Sequence, residues 1–232
     1  MGKIGYGYGS EWQLMRMLGR HREYFDSLVL KSYQYNESIS NQHKIEWFDF
    51  KFKGLMDSEL LGEDLFNLLN ISCKYNILKK ANWDCIGKID DTYLLGEAKG
   101  HIGELFKTDK SGASKDSKDA YLELVDEIMS VYRINVSYRE KWINDGFQLG
   151  NRIATQYFLE KNNINCLILY ILFLEDWLID LSGKTLDASY SVKSIDDWMD
   201  AFKKQFKKLG FSFKRDKDLL SKFMFVFPKC IE

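Results

Sequence analysis

The chain has 232 residues, enough for one sizeable domain, and 45% of them are hydrophobic and 29% charged, as in a folded globular protein. Its 33 basic and 34 acidic residues give a formal net charge of -1, which excludes a general polycation, so any contact with nucleic acid must use a local patch. Four widely spaced cysteines, Cys73, Cys85, Cys166 and Cys230, form no CxxC pair and predict reduced, mostly buried thiols in a cytoplasmic protein.

The first part of the chain predicts a helix, a strand and a helical insert. Ser10 is a good N-cap, and apolar residues recur at helical spacing from Trp12 to Leu28. Lys44–Lys53 alternates apolar and polar residues, as a half-buried strand does. The segment 57–80 that follows is predicted to be helical.

A hairpin comes next, formed by Asp84–Ile89 and Thr92–Ala98, and a polar loop is predicted at Gly103–Lys118. Ser194 and Asp197 then form a capping box at the start of a late helix. The other predicted elements are helices at Lys118–Arg133, Asp145–Asn162 and Ser194–Leu209 and strands at Cys166–Leu174 and Phe223–Phe227.

This order predicts an α/β fold in which a central mixed β-sheet is flanked by helices. We expect residues 1–176 to form the core domain, including the helical insert 57–80. Residues 177–232 are expected to add a C-terminal helix and strand to the same domain. The most apolar run, Cys166–Leu174, is far shorter than the roughly 20 residues that span a bilayer, and the N-terminus lacks the apolar core of a signal peptide. No membrane contact is therefore expected.

The hairpin places two acids close together. If its turn is Asp90–Asp91, Ile89 pairs with Thr92, and Asp84 then falls opposite Glu97. Like charges at directly opposed positions destabilise a sheet. A divalent cation held between the two carboxylates would reverse the sign of that interaction.

Lys99 shares a strand face with Glu97, because side chains two residues apart point the same way, whereas Ala98 points into the opposite face. Two carboxylates suit a hard cation such as Mg²⁺ or Mn²⁺. A lysine beside such an ion would orient or deprotonate a water and offset charge on a phosphate oxygen.

Asp84, followed after twelve residues by Glu97-Ala98-Lys99, resembles the PD-(D/E)xK signature of the restriction-endonuclease-like nuclease superfamily. Trp83 stands where that signature has proline. The resemblance implies a restriction-endonuclease-like core over roughly residues 10–176. It also implies that the aspartate and glutamate bind the metal and that the lysine acts on the attacking water.

The resemblance assigns two further residues by their place in the fold. Members often add an acid from the first helix, which would make Glu11 a third metal ligand. Many carry a glutamine on the helix after the motif strand, and Gln148 occupies that place, with Asn151 and Arg152 on the next turn. The expected catalytic set is therefore Lys99, Glu97, Asp84 and Gln148.

The expected function is metal-dependent hydrolysis of phosphodiester bonds in nucleic acid, with DNA favoured over RNA. The sequence is also compatible with a homodimer. A nuclease fold that has lost catalysis and serves as a nucleic-acid-binding or interaction module is the alternative, and a hydrolase of other substrates is a third. The motif residues could also form a surface ion-pair network. The stretch Lys203–Lys217, which mixes lysines with phenylalanines, predicts either a nucleic-acid patch or a solvated helix face over core phenylalanines.

Overall fold

The computed structural model describes residues 9–36, 43–48, 51–53, 57–106, 111–175 and 191–230. The predicted α/β fold with a mixed central sheet is confirmed. Its strands are β1 (Ile45–Trp47), β2 (Lys51–Lys53), β3 (Asp57–Leu61), β4 (Asn82–Trp83), β5 (Cys85–Ile89), β6 (Thr92–Lys99), β7 (Cys166–Leu172) and β8 (Phe223–Val226). Its helices are α1 (Ser10–Leu18), α2 (Arg22–Asn36), α3 (Gly62–Leu68), α4 (Asn76–Lys79), α5 (Ile102–Phe106), α6 (Lys115–Val131), α7 (Lys141–Asn144), α8 (Phe147–Lys161), α9 (Ile195–Lys208) and α10 (Lys217–Leu220).

The central sheet has five strands in the order β1-β5-β6-β7-β8. The β1, β5 and β6 strands pair antiparallel, whereas β6, β7 and β8 pair parallel. The β5–β6 hairpin has the predicted register, from Cys85 opposite Gly96 to Ile89 opposite Thr92. Parallel pairing requires long crossovers, and the chain supplies helices between β6 and β7 and between β7 and β8.

Helices cover both faces of this sheet, which accounts for the unbroken apolar sequence of β7. Leu169 and Ile171 pack on the face covered by α1 and α2, whereas Ile168 and Tyr170 face α6, α8 and α9. Every residue of β7 is buried. The predicted strand is therefore confirmed as the centre of the core.

Several predicted boundaries differ from the structure. Lys44–Lys53 is divided between β1 and β2, which belong to different sheets, since β2 pairs with β3 and β3 with β4. The helical insert 57–80 was wrong for its first five residues, which form β3, because that segment extends the second sheet rather than burying a helical face. Part of the predicted loop Gly103–Lys118 is also helical, since it overlaps α5 and α6.

The C-terminal elements belong to the same core. The β8 strand pairs with β7, and Trp198 and Phe202 of α9 are buried in the cluster that contains Tyr170. Ser194 caps α9 as predicted, since its Oγ accepts the Asp197 N–H at 3.1 Å, but the Asp197 carboxylate accepts the Ser194 hydroxyl rather than completing the predicted capping box. Residues 176–190, which join β7 to this part of the chain, lie outside the described residues.

Candidate active site

The motif residues lie at the end of β6, where strand alternation separates them. Ala98 packs into the core beneath α1, whereas Glu97 and Lys99 point to the face covered by α8. Both charged side chains are buried, with 2% of the Glu97 side chain and 9% of the Lys99 side chain exposed. The alternative of a surface ion-pair network is therefore wrong, because the ion pairs of Glu97 are buried.

Glu97 is held by three neighbouring side chains. Lys99 Nζ and Gln148 Nε2 both donate to Oε1, the latter at 2.7 Å. Arg152 approaches Oε2 with Nε at 2.8 Å and a terminal nitrogen at 2.7 Å. A carboxylate offers about four lone-pair sites, and three hydrogen bonds together with this ion-pair contact engage both oxygens of Glu97.

Arg152 was not assigned a role from the sequence, although it lies one turn beyond Gln148. Its guanidinium lies 4.2 Å from the centre of the Trp83 ring, and it also donates to the carbonyl of Asn82. Trp83 thus supports the cation that holds Glu97. An arginine within the buried face of α8 was the signal available in the sequence, because a buried cation needs a partner.

Asp84 lies one residue before the first residue of β5, at the position that would follow in the ladder opposite Glu97. Its N–H donates to the Gly96 carbonyl at 3.1 Å, and its carboxylate Oδ2 accepts the Ala98 N–H at 2.7 Å. The N–H and carbonyl of one strand residue point to the same neighbour, so the Ala98 carbonyl also faces Asp84. Within the described part of the chain, Asp84 Oδ1 has no hydrogen-bond partner.

The charges in this cluster are unevenly balanced. Burial, and then the Glu97 charge, raise the pKa of Asp84 to about 7 against the smaller opposing effects of Lys99 and Arg152. Burial also disfavours ionisation of Glu97, but Arg152 and Lys99 outweigh it and lower the pKa of that carboxyl. The pKa of Lys99 is raised, because Glu97, Asp84 and Glu104 together outweigh the effect of its burial. Glu97 and Lys99 are therefore charged at neutral pH, whereas Asp84 is about half protonated.

Glu11, the third predicted metal ligand, lies in the first turn of α1. The buried residues of α1, among them Leu14 and Met17, pack on the sheet face that carries Ala98, opposite the face of Glu97 and Lys99. The body of α1 thus lies on the opposite side of the sheet from Glu97 and Lys99, and the role of Glu11 as a metal ligand stays a prediction.

The carboxylates of Asp84 and Glu97 suit a hard divalent cation, provided that Glu97 gives up one of its present hydrogen bonds. Within the described ranges, no group of three or more His, Cys, Asp or Glu side chains is placed to hold a metal ion. A pair of carboxylates is nevertheless a usual protein contribution to a Mg²⁺ site, with water and phosphate as the other ligands. Asp84 Oδ1 is uncommitted among the described contacts, but Glu97 would bind only if Oε1 gave up one of its donors.

A cleft of about 750 Å³ opens beside this cluster. It lies between α4, the start of α6 and α8, and we name it the α4–α6–α8 cleft. Gln148 and Arg152, which both contact Glu97, form part of its wall. The buried network is thus connected to a space large enough for a ligand.

The basic stretch Lys203–Lys217 carries exposed lysines, and Phe213 of this stretch is half-buried against the core. Phe206 and Phe211 are buried in the core. The structure therefore agrees with the predicted helix face over core phenylalanines.

Comparison with models of protein families, with curated proteins and with solved structures found no match to this chain. Among the described helices, none has the length and apolar character needed to cross a bilayer. The four cysteines are free, and Cys73, Cys85 and Cys166 are buried, as expected for thiols that form no disulfide.

Proposed function

We propose that this chain is a metal-dependent nuclease of the PD-(D/E)xK type that hydrolyses phosphodiester bonds of nucleic acid, with DNA as the expected substrate. The observation that supports it most directly is the carboxyl group of Asp84. This group is half-buried beside the ionised Glu97, has a pKa of about 7 and keeps one oxygen uncommitted among the described contacts. A cation bound there would relieve the repulsion between the two acids.

Asp84 and Glu97 are the residues that would hold Mg²⁺ or Mn²⁺, with the Ala98 carbonyl beside them, and Glu11 remains an additional candidate. To act as a ligand, Glu97 Oε1 would have to give up a present donor such as the Lys99 ammonium. When bound, the ion would supply a Lewis acid and a water of lowered pKa.

The other residues have separate roles in this proposal. Because the pKa of Lys99 is raised, its side chain is a cation at neutral pH. It would therefore orient the attacking water and stabilise charge on a phosphate oxygen rather than remove a proton. Gln148 and Arg152 are positioning residues, since they hold the two oxygens of Glu97 and keep that carboxylate ionised.

Cleavage assays with the full chain test this proposal. Single- and double-stranded DNA, RNA and free nucleotides are incubated with Mg²⁺, with Mn²⁺ or with EDTA. We expect cleavage of nucleic acid only with metal, and a loss of at least about a hundredfold in Asp84→Asn. Asp91→Asn, which removes an exposed acid from the turn of the same hairpin, is the matched control and should cleave normally. Full activity in Asp84→Asn would contradict the proposal.

A catalytically inactive nucleic-acid-binding or interaction module is the second candidate. It is favoured by the four donor contacts that Glu97 makes without a metal. Calorimetry with Mn²⁺ separates the two candidates. Metal uptake that disappears in Asp84→Asn supports the enzyme, whereas nucleic-acid binding without metal uptake supports the module.

A further inference from the structure

We propose that a basic surface on the second half of α9 and the turn after it binds backbone phosphates of duplex DNA beside the motif residues. This inference rests on the proposed nuclease function and specifies how the substrate is held, by charge and without reading its sequence. We name this the lysine surface. It consists of Lys204, Lys207, Lys208 and Lys214.

The charge of the chain is unevenly distributed along its sequence. Residues 203–217 hold seven of the 33 basic residues and one of the 34 acidic residues, so this segment has a formal charge of +6. The rest of the chain holds 26 basic and 33 acidic residues, a formal charge of -7. A strongly basic segment in an otherwise acidic chain is the local patch that a nearly neutral protein needs to meet a polyanion.

The cations of the lysine surface are available to a ligand. Its lysines are exposed, except that Lys208 is half-buried. In the described part of the chain, none of the four forms a salt bridge to an acid. Two other cations of the segment do, since Lys203 pairs with Asp200 and Arg215 with Asp216, each at 2.8 Å. The lysine surface therefore keeps its positive charge for a partner outside this chain.

The fold of α9 places these lysines on its outward side. The apolar side of the helix is buried in the core, with Trp198 and Phe206 among its residues. Lys204 and Lys208 are four residues apart and therefore lie one above the other on the helix. The Lys208 ammonium lies 5.1 Å from the centre of the Phe106 ring in α5, which places this row along the side of α9 that faces α5.

The turn after α9 adds the fourth lysine. Arg215 donates to the Gly210 carbonyl at 2.8 Å, so the turn folds back toward the end of the helix. Phe213 anchors it there, since its ring centre lies 5.3 Å from that of Phe206. Lys214, which stands between these two anchors in the sequence, is exposed at the same end of α9.

Contacts of α9 connect the lysine surface to the motif residues. Gln205 Nε2 donates to the Leu105 carbonyl in α5, a helix that begins three residues after Lys99. Gln205 also lines a small cavity together with Gln148, which in turn donates to Glu97. The helix that carries the lysines thus lies directly beside the end of the motif strand.

The packing beneath α9 indicates the spacing between the two places. Tyr170 lies opposite Glu97 in the register of β6 and β7, and its ring centre is 4.9 Å from that of Phe202 on α9. A helix with its side chains is about 10–12 Å across, so the outward lysines lie about one helix diameter from this layer. Each strand of a duplex carries a phosphate about every 3.4 Å along the axis. The lysine surface therefore meets phosphates a few nucleotides from the one at the motif residues.

The aromatic residues of the segment favour a duplex over a single strand. Proteins that bind single strands combine a basic groove with aromatic side chains on which bases stack. Here Phe206 and Phe211 are buried, Phe213 packs against the core, and Lys208 lies over the ring of Phe106. Lysines alone contact phosphates, and such contacts carry no sequence information. The surface therefore suits the regular backbone of a duplex.

Fluorescence anisotropy of the full chain in EDTA tests this surface without cleavage. The probes are two labelled duplexes of about 20 base pairs with unrelated sequences, titrated between about 50 and 200 mM salt. Each phosphate neutralised on a duplex contributes about -0.9 to the slope of log K against log salt, so four lysines predict a slope of about -3.6. A single strand of equal length should bind no more tightly than the duplex.

Lys204→Gln together with Lys208→Gln should make the slope shallower by about 1.8 and weaken binding at about 100 mM salt at least tenfold, equally for both duplexes. The matched control is Arg20→Gln together with Lys31→Gln. It removes two exposed cations from the side of α1 and α2, which cover the other face of the sheet, and should change the slope by less than about 0.5.

A second variant covers a failure to fold. If loss of the Lys208 contact with Phe106 unfolds the chain, Lys204→Gln together with Lys207→Gln replaces the first pair, with the same expected change in slope. Equal effects of the lysine-surface variant and the control, or tighter binding of the single strand, would overturn the inference. Binding to vesicles of phosphatidylserine and phosphatidylcholine without binding to DNA would also overturn it, because the surface would then recognise a membrane.

The two proposals fail in different ways. A chain that binds duplexes through these lysines but cleaves nothing with Mg²⁺ or Mn²⁺ would overturn the nuclease function and leave the lysine surface. A chain that cleaves with metal but binds equally well without Lys204 and Lys208 would overturn the surface alone.

Discussion

Replacing Asp84 by asparagine should stabilise the protein at alkaline pH. The change removes a charge that the fold holds half-buried beside Glu97. It keeps the size of the side chain and an oxygen that can accept the Ala98 N–H. The proposed function has the opposite requirement, since the same variant should lose metal binding. A residue that destabilises the free protein and is needed for activity is a signature of a functional site.

The magnitude follows from the shift in the pKa of Asp84 from its ordinary 3.8 to about 7. Three pKa units correspond to about 4 kcal/mol, and partial solvent exposure reduces this to about 2 kcal/mol. The folded state keeps the proton up to about pH 7, whereas the unfolded chain loses it near pH 4. The penalty is therefore absent below about pH 4, grows between pH 4 and 7 and is complete above pH 7.

Urea unfolding without metal at about pH 4.5 and pH 8.5 provides the measurement. We expect the free energy of unfolding of Asp84→Asn to exceed that of the wild type by about 2 kcal/mol at the higher pH and by about 0.5 kcal/mol at the lower pH. The decisive quantity is the stability gain at the higher pH minus the gain at the lower pH, because this subtraction cancels any pH-independent effect of the new amide. Asp91→Asn, at an exposed turn position, should show no such difference. A stability gain that does not change with pH would refute the electrostatic reasoning.

Metal should reverse the order of the two proteins at pH 8.5. Mg²⁺ at about a hundred times its dissociation constant stabilises the protein that binds it by about 2.7 kcal/mol. The wild type should gain this amount and Asp84→Asn should gain almost none. Equal stabilisation of both proteins would place the ion elsewhere.

Three further predictions concern the same hairpin. Glu97→Gln should lower the free energy of unfolding by about 3–5 kcal/mol, because two buried cations lose their counter-charge, so denaturation curves must accompany any activity measured on it. Gly96→Ala should cost about 1–3 kcal/mol, since its Cβ would collide with Cys85 Sγ, and a double-mutant cycle with Cys85→Ala should recover most of that loss; additive effects would contradict the contact. Mn²⁺ binding should release more protons near about pH 5 than near about pH 8.5 as Asp84 gives up its proton, which calorimetry in buffers of different ionisation enthalpy measures; release independent of pH would count against Asp84 as the ligand.

The hairpin shows how far local sequence extends. A two-residue turn at Asp90–Asp91 and the alternation of a strand were sufficient to predict its register, because both act between neighbours in the chain. The same reasoning placed Glu97 and Lys99 on one face. It could not determine that this face is buried, because burial depends on helices that pack onto the sheet from distant parts of the chain.

The second sheet shows the opposite case. The alternating pattern of Lys44–Lys53 predicted one strand, and the chain forms two that pair with different partners. Alternation reports that a segment is extended and amphipathic, but it says nothing about which neighbour completes its hydrogen bonds. The prediction of helix at 57–61 was wrong because these residues pair with strands on both sides, and local sequence does not report such partners.

Around Glu97, sequence and tertiary structure made separate contributions. The motif, its strand and the pairing of acid with lysine follow from residues within sixteen positions of one another. Gln148 and Arg152 reach Glu97 across more than fifty residues, and the cleft beside them exists only once α4, α6 and α8 have packed. Hydrogen bonds and desolvation act at contact distance, and contacts between distant segments form only when the hydrophobic core brings them together. The sequence alone therefore identified the two acids and the lysine. The charge state of Asp84, the donors around Glu97 and the cleft beside them depend on the folded core.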